Sequence, residues 1–235
     1  MCSRTWRSSL GRNASLAAFC LIAGVALATG TAQALLVVCT GGPCEGTEEA
    51  DEIHGSPLHD EIVARGGADD VSGAGVDDVI RGGAGDDVLE GGSGGDTIYG
   101  GKGSDFTESL SDDGADTILL GSGEDCARGG PKDDVIHGGP GREATLEGNC
   151  GFNGISGLYG NRGNDELYGE GAGDFLVGDQ GRDKLFGGAG NDHLDATDDD
   201  NDVVDRLDCG AGDADEYQAQ REDRVHDNCE INARK

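Results

Sequence analysis

Aspartates recur at nine-residue intervals through most of the chain, and they are the residues best suited to chemistry. Three runs contain Asp51, Asp60, Asp69, Asp78, Asp87, Asp96, Asp105, then Asp116, Asp125, Asp134, then Asp165, Asp174, Asp183 and Asp192. In residues 82–105 each aspartate ends the pattern Gly-Gly-x-Gly-x-Asp. Glycines permit a tight turn whose carbonyls can approach an ion, and the aspartate adds an anionic oxygen. Hard oxygen ligands of this kind select Ca²⁺, which takes six to eight of them.

Short strands must position these carboxylates, because an apolar residue follows nearly every aspartate two positions later. Ile80, Leu89 and Ile98 illustrate the pattern, while Thr107 breaks it. In a strand, alternate side chains face opposite sides, so the middle residue of each x-apolar-x unit is expected to point inward. Each nine-residue step should cross to the other side of the molecule, so only an 18-residue step returns. Asp87 and Asp105 are therefore expected on one line of sites.

These nonapeptides resemble the calcium-binding repeats of the RTX, or haemolysin-type, family, over residues 46–195. The resemblance implies an all-β fold, a parallel β-roll (a calcium-stabilised β-solenoid) with small disulfide-bonded end caps, holding multiple Ca²⁺ ions. The first two repeats depart from the pattern at Glu49 and Leu58, and Glu143 replaces the aspartate in an irregular stretch. The metal ligands that the resemblance implies are Asp69, Asp78, Asp87, Asp96, Asp105, Asp116, Asp125, Asp134, Asp165, Asp174, Asp183 and Asp192.

The charge balance points to cations as partners. The chain has 47 acidic and 17 basic residues, a formal net charge of −30, and 45 glycines among 235 residues. A polyanion without a basic stripe repels phosphate, so nucleic acid is excluded as a partner. Cations are the partners that such a surface attracts.

The first 34 residues have the features of a secretory signal peptide. Arginines precede the apolar stretch 16–28, and the small-residue tripeptide Ala32-Gln33-Ala34 follows it. This order predicts cleavage after Ala34 and a secreted, extracellular protein without a membrane span, with association to the cell surface left open. A membrane anchor over 16–38 is the alternative, but polar residues interrupt that stretch.

Six cysteines would remain after cleavage, and they form three local couples. Cys39 and Cys44 lie in a predicted N-terminal cap, residues 35–45, and Cys209 and Cys229 in a predicted acidic C-terminal cap, residues 196–235. Even cysteine numbers in an exported chain favour disulfides, and nearest-neighbour pairing also joins Cys126 to Cys150. Zinc is the rival interpretation, but the chain has no Cys-x-x-Cys motif.

Three functions are compatible with this sequence. We expect a secreted calcium-binding repeat protein that serves as an extracellular structural or interaction module. An RTX-type adhesin or cytolysin is the alternative, although no apolar pore-forming region is present. An enzyme is the least favoured class, because segments outside the repeats are too short for a catalytic domain. Ser93 matches a nucleophile-elbow pattern, Gly-x-Ser-x-Gly, but glycine-rich repeats produce such matches through composition alone.

Overall fold

The computed structural model describes residues 21–22, 35–108, 114–141, 157–197 and 203–232. These residues form an all-strand β-solenoid of about nine turns, without a helix. Two sheets, which we call sheet A and sheet B, line its opposite sides. The predicted parallel β-roll is therefore confirmed. Within the described ranges, no helix is long and apolar enough to cross a bilayer.

The strands are numbered in chain order and alternate between the sheets from β2 onward. Sheet A contains β1 (Leu21–Ile22), β2 (Leu35–Val38), β4 (Asp51–His54), β6 (Asp70–Gly75), β8 (Val88–Ser93), β10 (Phe106–Glu108), β12 (Cys126–Pro131), β14 (Gly157–Arg162), β16 (Phe175–Gln180), β18 (His193–Asp195), β20 (Glu216–Gln218) and β22 (Ile231–Asn232). Sheet B contains β3 (Gly42–Glu45), β5 (Asp60–Gly66), β7 (Val79–Ala84), β9 (Thr97–Lys102), β11 (Thr117–Ser122), β13 (Val135–Gly139), β15 (Glu166–Gly171), β17 (Lys184–Ala189), β19 (Arg206–Ala211) and β21 (Arg224–Val225).

The strand register follows the sequence repeat. Neighbouring strands of a sheet are parallel, apart from the antiparallel pair of β1 and β2. Ile62 lies beside Ile80, and Ile80 beside Ile98, each one 18-residue coil apart. Each nine-residue step thus crosses from one sheet to the other, as the spacing predicts.

The inward positions of the repeats form one continuous apolar core. Every apolar residue of the nine-residue pattern is almost fully buried: Ile53, Ile62, Val71, Ile80, Leu89, Ile98, Ile118, Ala127, Ile136, Leu167, Leu176, Leu185 and Leu194. Thr107 takes the same inward place between Leu89 and Ala127 in sheet A, and it too is fully buried. Burial of one aliphatic side chain per strand is the main apolar stabilisation of the roll.

Tight turns join the strands, and glycine is needed where successive turns stack. Gly85 has a φ of 138°, and a Cβ added there would lie 1.5 Å from the carbonyl oxygen of Gly67, one coil earlier. No other residue fits that contact without displacing backbone. The third glycine of the repeat is thus explained by stacking as well as by backbone conformation.

The roll tolerates irregular spacing. The insertion after Asp105 lengthens one coil by two residues, so that Phe106 pairs with Cys126. A larger interruption separates β13 from β14, yet β15 still pairs with β13. Glu143, the expected replacement for an aspartate, lies outside the described residues. Phe106 and Cys126 form a second small apolar cluster with partly buried Val88 and Tyr159.

Disulfides lie near both ends of the roll. Cys39 is bonded to Cys44 and Cys209 to Cys229, which confirms two of the three predicted pairs. Cys126 is also disulfide-bonded, but Cys150 lies outside the described residues. Both predicted caps contribute strands to the two sheets, β2 and β3 at one end and β19 to β22 at the other. Apart from Leu21–Ile22, the predicted signal peptide also lies outside the described residues.

Candidate metal sites

The twelve predicted ligand residues lie in two rows, one along each sheet. Row A, at the start of the sheet A strands, contains Asp69, Asp87, Asp105, Asp125, Asp174 and Asp192; row B, at the start of the sheet B strands, contains Asp78, Asp96, Asp116, Asp134, Asp165 and Asp183. All twelve are at most 2% exposed. Asp87 and Asp105 share row A, whereas Asp96 belongs to row B, which agrees with the predicted alternation.

One carboxylate oxygen of most of these aspartates ties neighbouring coils together. The backbone N–H of Asp69 donates to Oδ1 of Asp87 at 2.9 Å, and that of Asp87 donates to Oδ1 of Asp105 at 3.0 Å. In row B the backbone N–H of Asp78 donates to Oδ1 of Asp96 at 2.7 Å. The contact persists across the larger interruption, where the N–H of Asp134 donates to Oδ1 of Asp165 at 2.7 Å. The ladder explains why the carboxylates are buried in register.

The second carboxylate oxygen has no such role in several repeats. Within the described part of the chain, Oδ2 is buried and accepts no hydrogen bond in Asp69, Asp78, Asp87, Asp105, Asp165, Asp192 and Asp215. A buried polar atom without a partner costs about 1–3 kcal/mol, and more when it is charged. An external cation is one partner that would remove this cost.

The first glycine of the repeat makes room for that oxygen. A Cβ built on Gly82 would lie 2.5 Å from Oδ2 of Asp87 and 2.9 Å from the carbonyl oxygen of Gly100. The same arrangement recurs at Gly100, with Oδ2 of Asp105 at 2.5 Å and the Leu120 carbonyl at 2.5 Å. The missing side chain therefore brings a carboxylate oxygen and a carbonyl oxygen of the next coil to the same place. These are the two oxygen types that Ca²⁺ prefers.

Burial without a counter-charge raises the pKa of these carboxyl groups. Desolvation is the largest cause, and it raises the pKa of Asp105 and of Asp165 to about 7. The same cause raises the pKa of Asp69 and of Asp78 to about 6. Hydrogen bonds from backbone N–H groups offset only part of the shift. The charged form of these carboxyl groups is thus less favoured than that of an exposed aspartate, and a bound cation would favour it.

The first two aspartates of the pattern have a different environment. Oδ2 of Asp51 accepts hydrogen bonds from the backbone N–H of Thr47 at 2.6 Å and from its hydroxyl at 3.0 Å. Oδ2 of Asp60 accepts the equivalent bonds from Ser56 at 2.6 and 2.9 Å. Protein donors therefore satisfy these two oxygens, unlike the equivalent Oδ2 atoms of Asp69 and Asp87. This distinction supports leaving Asp51 and Asp60 out of the predicted ligand set.

Both rows continue beyond the predicted repeats. In row A the backbone N–H of Asp192 donates to Oδ1 of Asp215 at 2.9 Å, and in row B that of Asp183 donates to Oδ1 of Asp205 at 2.8 Å. Asp223 extends row B by one further coil, at 3.1 Å from the N–H of Asp205. These residues were not predicted from the sequence because their spacing is not nine. The signal that could have found them is Asp-x-apolar, as in Asp215-Glu-Tyr217.

An outer ladder accompanies the buried rows. Asp86 is exposed, and its Oδ1 accepts the backbone N–H of Ser104 at 2.9 Å. Asp77 accepts the N–H of Gly95 in the same way, also at 2.9 Å. These exposed carboxylates also link coils, but water can solvate their other oxygen. They therefore lack the buried, unpartnered oxygen of inner-row members such as Asp87 and Asp105.

The donor set fits calcium only if backbone carbonyls contribute. Within the described ranges, no three His, Cys, Asp or Glu side chains converge closely enough to hold an ion by themselves. Each coil offers one buried carboxylate per row, with a carbonyl of the next coil beside it in the repeats that retain the first glycine. Hard oxygens from two successive coils, collected in this way, satisfy the chemistry of Ca²⁺.

Comparison with known proteins agrees with this donor chemistry. A model of the RTX calcium-binding nonapeptide repeat (4 copies) matches residues 45–80, 72–106, 123–142, 158–185 and 168–203. These segments together cover more than half of the chain and include eleven of the twelve predicted ligands. A search of curated proteins found no match.

Proposed function

The chain belongs to the RTX calcium-binding nonapeptide-repeat family, and on that premise we propose that it is a secreted repeat protein that Ca²⁺ folds outside the cell. It acts there as a structural or interaction module. The observation that carries this proposal is the buried Oδ2 atom, unpartnered in Asp69, Asp87 and Asp105 of successive coils. Calcium ions would give each of these atoms a partner and offset the repulsion between stacked carboxylates.

The disulfides support the extracellular part of the proposal. Cys39–Cys44 and Cys209–Cys229 lie near the two ends of the roll, and such bonds persist in oxidising compartments. Extracellular calcium is millimolar in many settings, and extracellular modules bind it with Kd values of about 10⁻⁴–10⁻³ M. A chain that folds at this concentration would remain unfolded in a cytosol of low calcium and fold on export.

As part of the same proposal, the protein works by binding rather than by catalysis. Ser93, the one residue in a nucleophile-like pattern, is exposed and forms no hydrogen bond with a histidine among the described residues. The buried carboxylates are committed to the inter-coil ladder through Oδ1. A calcium-dependent scaffold requires no further chemistry from them.

A calcium titration followed by far-UV circular dichroism tests the folding proposal. Purified protein in excess chelator should have little β structure and should gain it cooperatively at about 10⁻⁴–10⁻³ M free Ca²⁺. Mg²⁺ at the same concentration is the control, because its strict octahedral geometry and tight hydration disfavour such a site. A β spectrum that is complete in chelator and unchanged by Ca²⁺ would contradict the proposal.

Export requires a separate measurement. The full chain, expressed in a secreting bacterial host, should appear in the medium or periplasm with Leu35 as its first residue. N-terminal sequencing of the recovered protein decides the point. Recovery of the full-length chain in the cytoplasm alone would contradict secretion without affecting the calcium proposal.

A further inference from the structure

Basic side chains gather at the C-terminal end of sheet B, in a chain that is otherwise strongly acidic. We call Arg182, Lys184, Arg206 and Arg224 the basic patch. The register places Lys184 beside Arg206 and Arg206 beside Arg224 on three successive strands, and Arg182 lies in the turn before β17. All four residues line one open depression of about 450 Å³. Four cations thus share one concave surface.

The charges of the basic patch are largely uncompensated. Lys184 forms an ion pair with Glu166, but Arg182, Arg206 and Arg224 form none with the described residues. Some arginines of the roll do form ion pairs with carboxylates, as Arg81 does with Glu61 at 3.1 Å. The basic patch brings three arginines without such a pair into one depression, in a chain that has 47 acidic residues.

The close spacing of these positive charges lowers the stability of the folded sheet unless an anion binds to them. Neighbouring strands are about 4.8 Å apart, and like charges placed directly opposite destabilise a sheet. The guanidinium of Arg206 lies 5.7 Å from the centre of the Phe186 ring, which restrains it on the strand face. A planar guanidinium held in this way presents paired N–H donors that match the oxygens of phosphate, sulfate or carboxylate.

Acidic residues of the same depression do not remove this preference. Asp183 and Asp205 also line it, but both are buried members of row B, at 0% and 2% exposure. Their Oδ1 atoms accept the backbone N–H groups of Asp165 and Asp183. Among the described residues that line the depression, the exposed charged side chains are therefore the cations.

We propose that the basic patch binds a soluble ligand that carries a phosphate, sulfate or carboxylate group. A small ligand is favoured over a membrane or a nucleic acid because the net charge of −30 repels extended polyanions, whereas one oxyanion group can enter the depression. This site lies on the outer face of the roll beside row B, and the exposed basic side chains, not the buried carboxylates of Asp183 and Asp205, would hold the anion.

Sulfate is a suitable probe, because at low millimolar concentration it does not precipitate calcium. We would titrate ¹⁵N-labelled full chain with sulfate at constant ionic strength, with chloride as the counter-titrant, after circular dichroism has established that the sample is folded. Saturable amide shifts are expected around residues 182–184, 204–206 and 224.

Two variants test which side chains bind the sulfate. Arg206→Gln combined with Arg224→Gln should weaken binding at least tenfold. Arg81→Gln is the matched control, since Arg81 also lies over a ring, that of Tyr99, but has an acidic partner.

The proposal is overturned if the shifts do not saturate, or if the double variant binds sulfate as tightly as the parent. Binding to phosphatidylglycerol vesicles in the absence of sulfate saturation would also contradict it, because the ligand would then be a membrane. The sulfate titration is performed under whichever condition, with or without Ca²⁺, gives a folded sample. Failure of calcium-dependent folding is therefore seen by circular dichroism and kept distinct from failure of the anion site.

Discussion

The backbone N–H of Asp69 donates to Oδ1 of Asp87 at 2.9 Å across one coil of the roll, while Oδ2 of Asp87 is buried without a partner. The two oxygens of one carboxylate therefore have separable roles. Oδ1 accepts the backbone N–H of the preceding coil, and Oδ2 is the atom that a cation would bind. Substitutions that keep one oxygen and replace the other can test this division.

Asp87→Asn should weaken calcium binding without breaking the ladder. The amide keeps a carbonyl oxygen that can accept the Asp69 N–H, but it replaces the anionic Oδ2 by a neutral NH₂ group. We expect the midpoint of the calcium titration to rise about tenfold, equivalent to about 1.4 kcal/mol. In chelator the variant should be at least as structured as the parent, since a buried charge has been removed.

Asp86→Asn is the matched control, one residue away and with the same change of charge. Asp86 is exposed, and its Oδ1 accepts the Ser104 N–H, a bond that the amide can retain. Its calcium midpoint should stay within about twofold of the parent value, a difference of about 0.4 kcal/mol. Equal shifts in the two variants would mean that general electrostatics, rather than a ligand at Asp87, sets the affinity.

The metal-free protein should gain structure as the pH falls. Burial raises the pKa of Asp105 and of Asp165 to about 7, against an ordinary value of 3.8. Between about pH 4 and pH 7 the folded state therefore binds protons that the unfolded state releases, so its stability decreases as pH rises through this window. In chelator, the β signal and the urea midpoint should be larger at pH 5 than at pH 8.

Calcium should reverse that trend, because protons and Ca²⁺ compete for the same carboxylates. The calcium midpoint is expected at a higher concentration at pH 5 than at pH 8. Titrations at both pH values on one sample provide the comparison. A metal-free chain that is equally or more structured at pH 8 would show that the buried carboxyl groups do not control folding.

Gly82→Ala should damage the site through a steric contact. The added methyl group would lie 2.5 Å from Oδ2 of Asp87 and 2.9 Å from the Gly100 carbonyl, so both oxygens must move. We expect a loss of about 1–3 kcal/mol in the calcium-loaded state and a raised calcium midpoint. Gly75→Ala is the control, because its methyl group would meet nothing closer than 3.7 Å. Similar urea midpoints for the two variants would contradict the assignment.

Thr107→Val should stabilise the roll. Thr107 occupies an inward core position, and its hydroxyl oxygen is buried without a hydrogen bond in the described structure. Valine has nearly the same shape and removes the unsatisfied hydroxyl, for a gain of about 1–3 kcal/mol. Urea unfolding in saturating Ca²⁺ measures the change. Thr97→Val, at a half-buried outward position, should change stability by less than about 0.5 kcal/mol, and an equal gain there would contradict the explanation.

The repeat allowed the roll, its core positions and its two rows to be predicted from the sequence. Asp-x-apolar at an interval of nine determines which side chains point inward, and 18-residue stacking follows from strand alternation. The continuation of the rows through Asp205 and Asp215 could not be predicted in this way, because 22 and 23 residues separate these residues from the preceding members Asp183 and Asp192. Hydrogen bonding through the roll, and not spacing, places them in register.

The hydrogen bonds that satisfy the carboxylates of Asp51 and Asp60 could not be predicted from the sequence either. The hydroxyls of Thr47 and Ser56 could be read from the chain, but their bonds to Asp51 and Asp60 depend on turn geometry. The basic patch was also missed, since Lys184, Arg206 and Arg224 are 40 residues apart end to end and meet only through strand register. Contacts between coils, rather than neighbours in sequence, create these features.

Locating the bound ions tests the central claim most directly. Crystals grown in Ca²⁺ should give anomalous peaks in two lines along the roll, with one ion about 2.3–2.6 Å from Oδ2 of Asp87 and others at equivalent positions in rows A and B. Ions found only beside exposed carboxylates such as Asp86, with Oδ2 of Asp87 still unpartnered, would contradict the account.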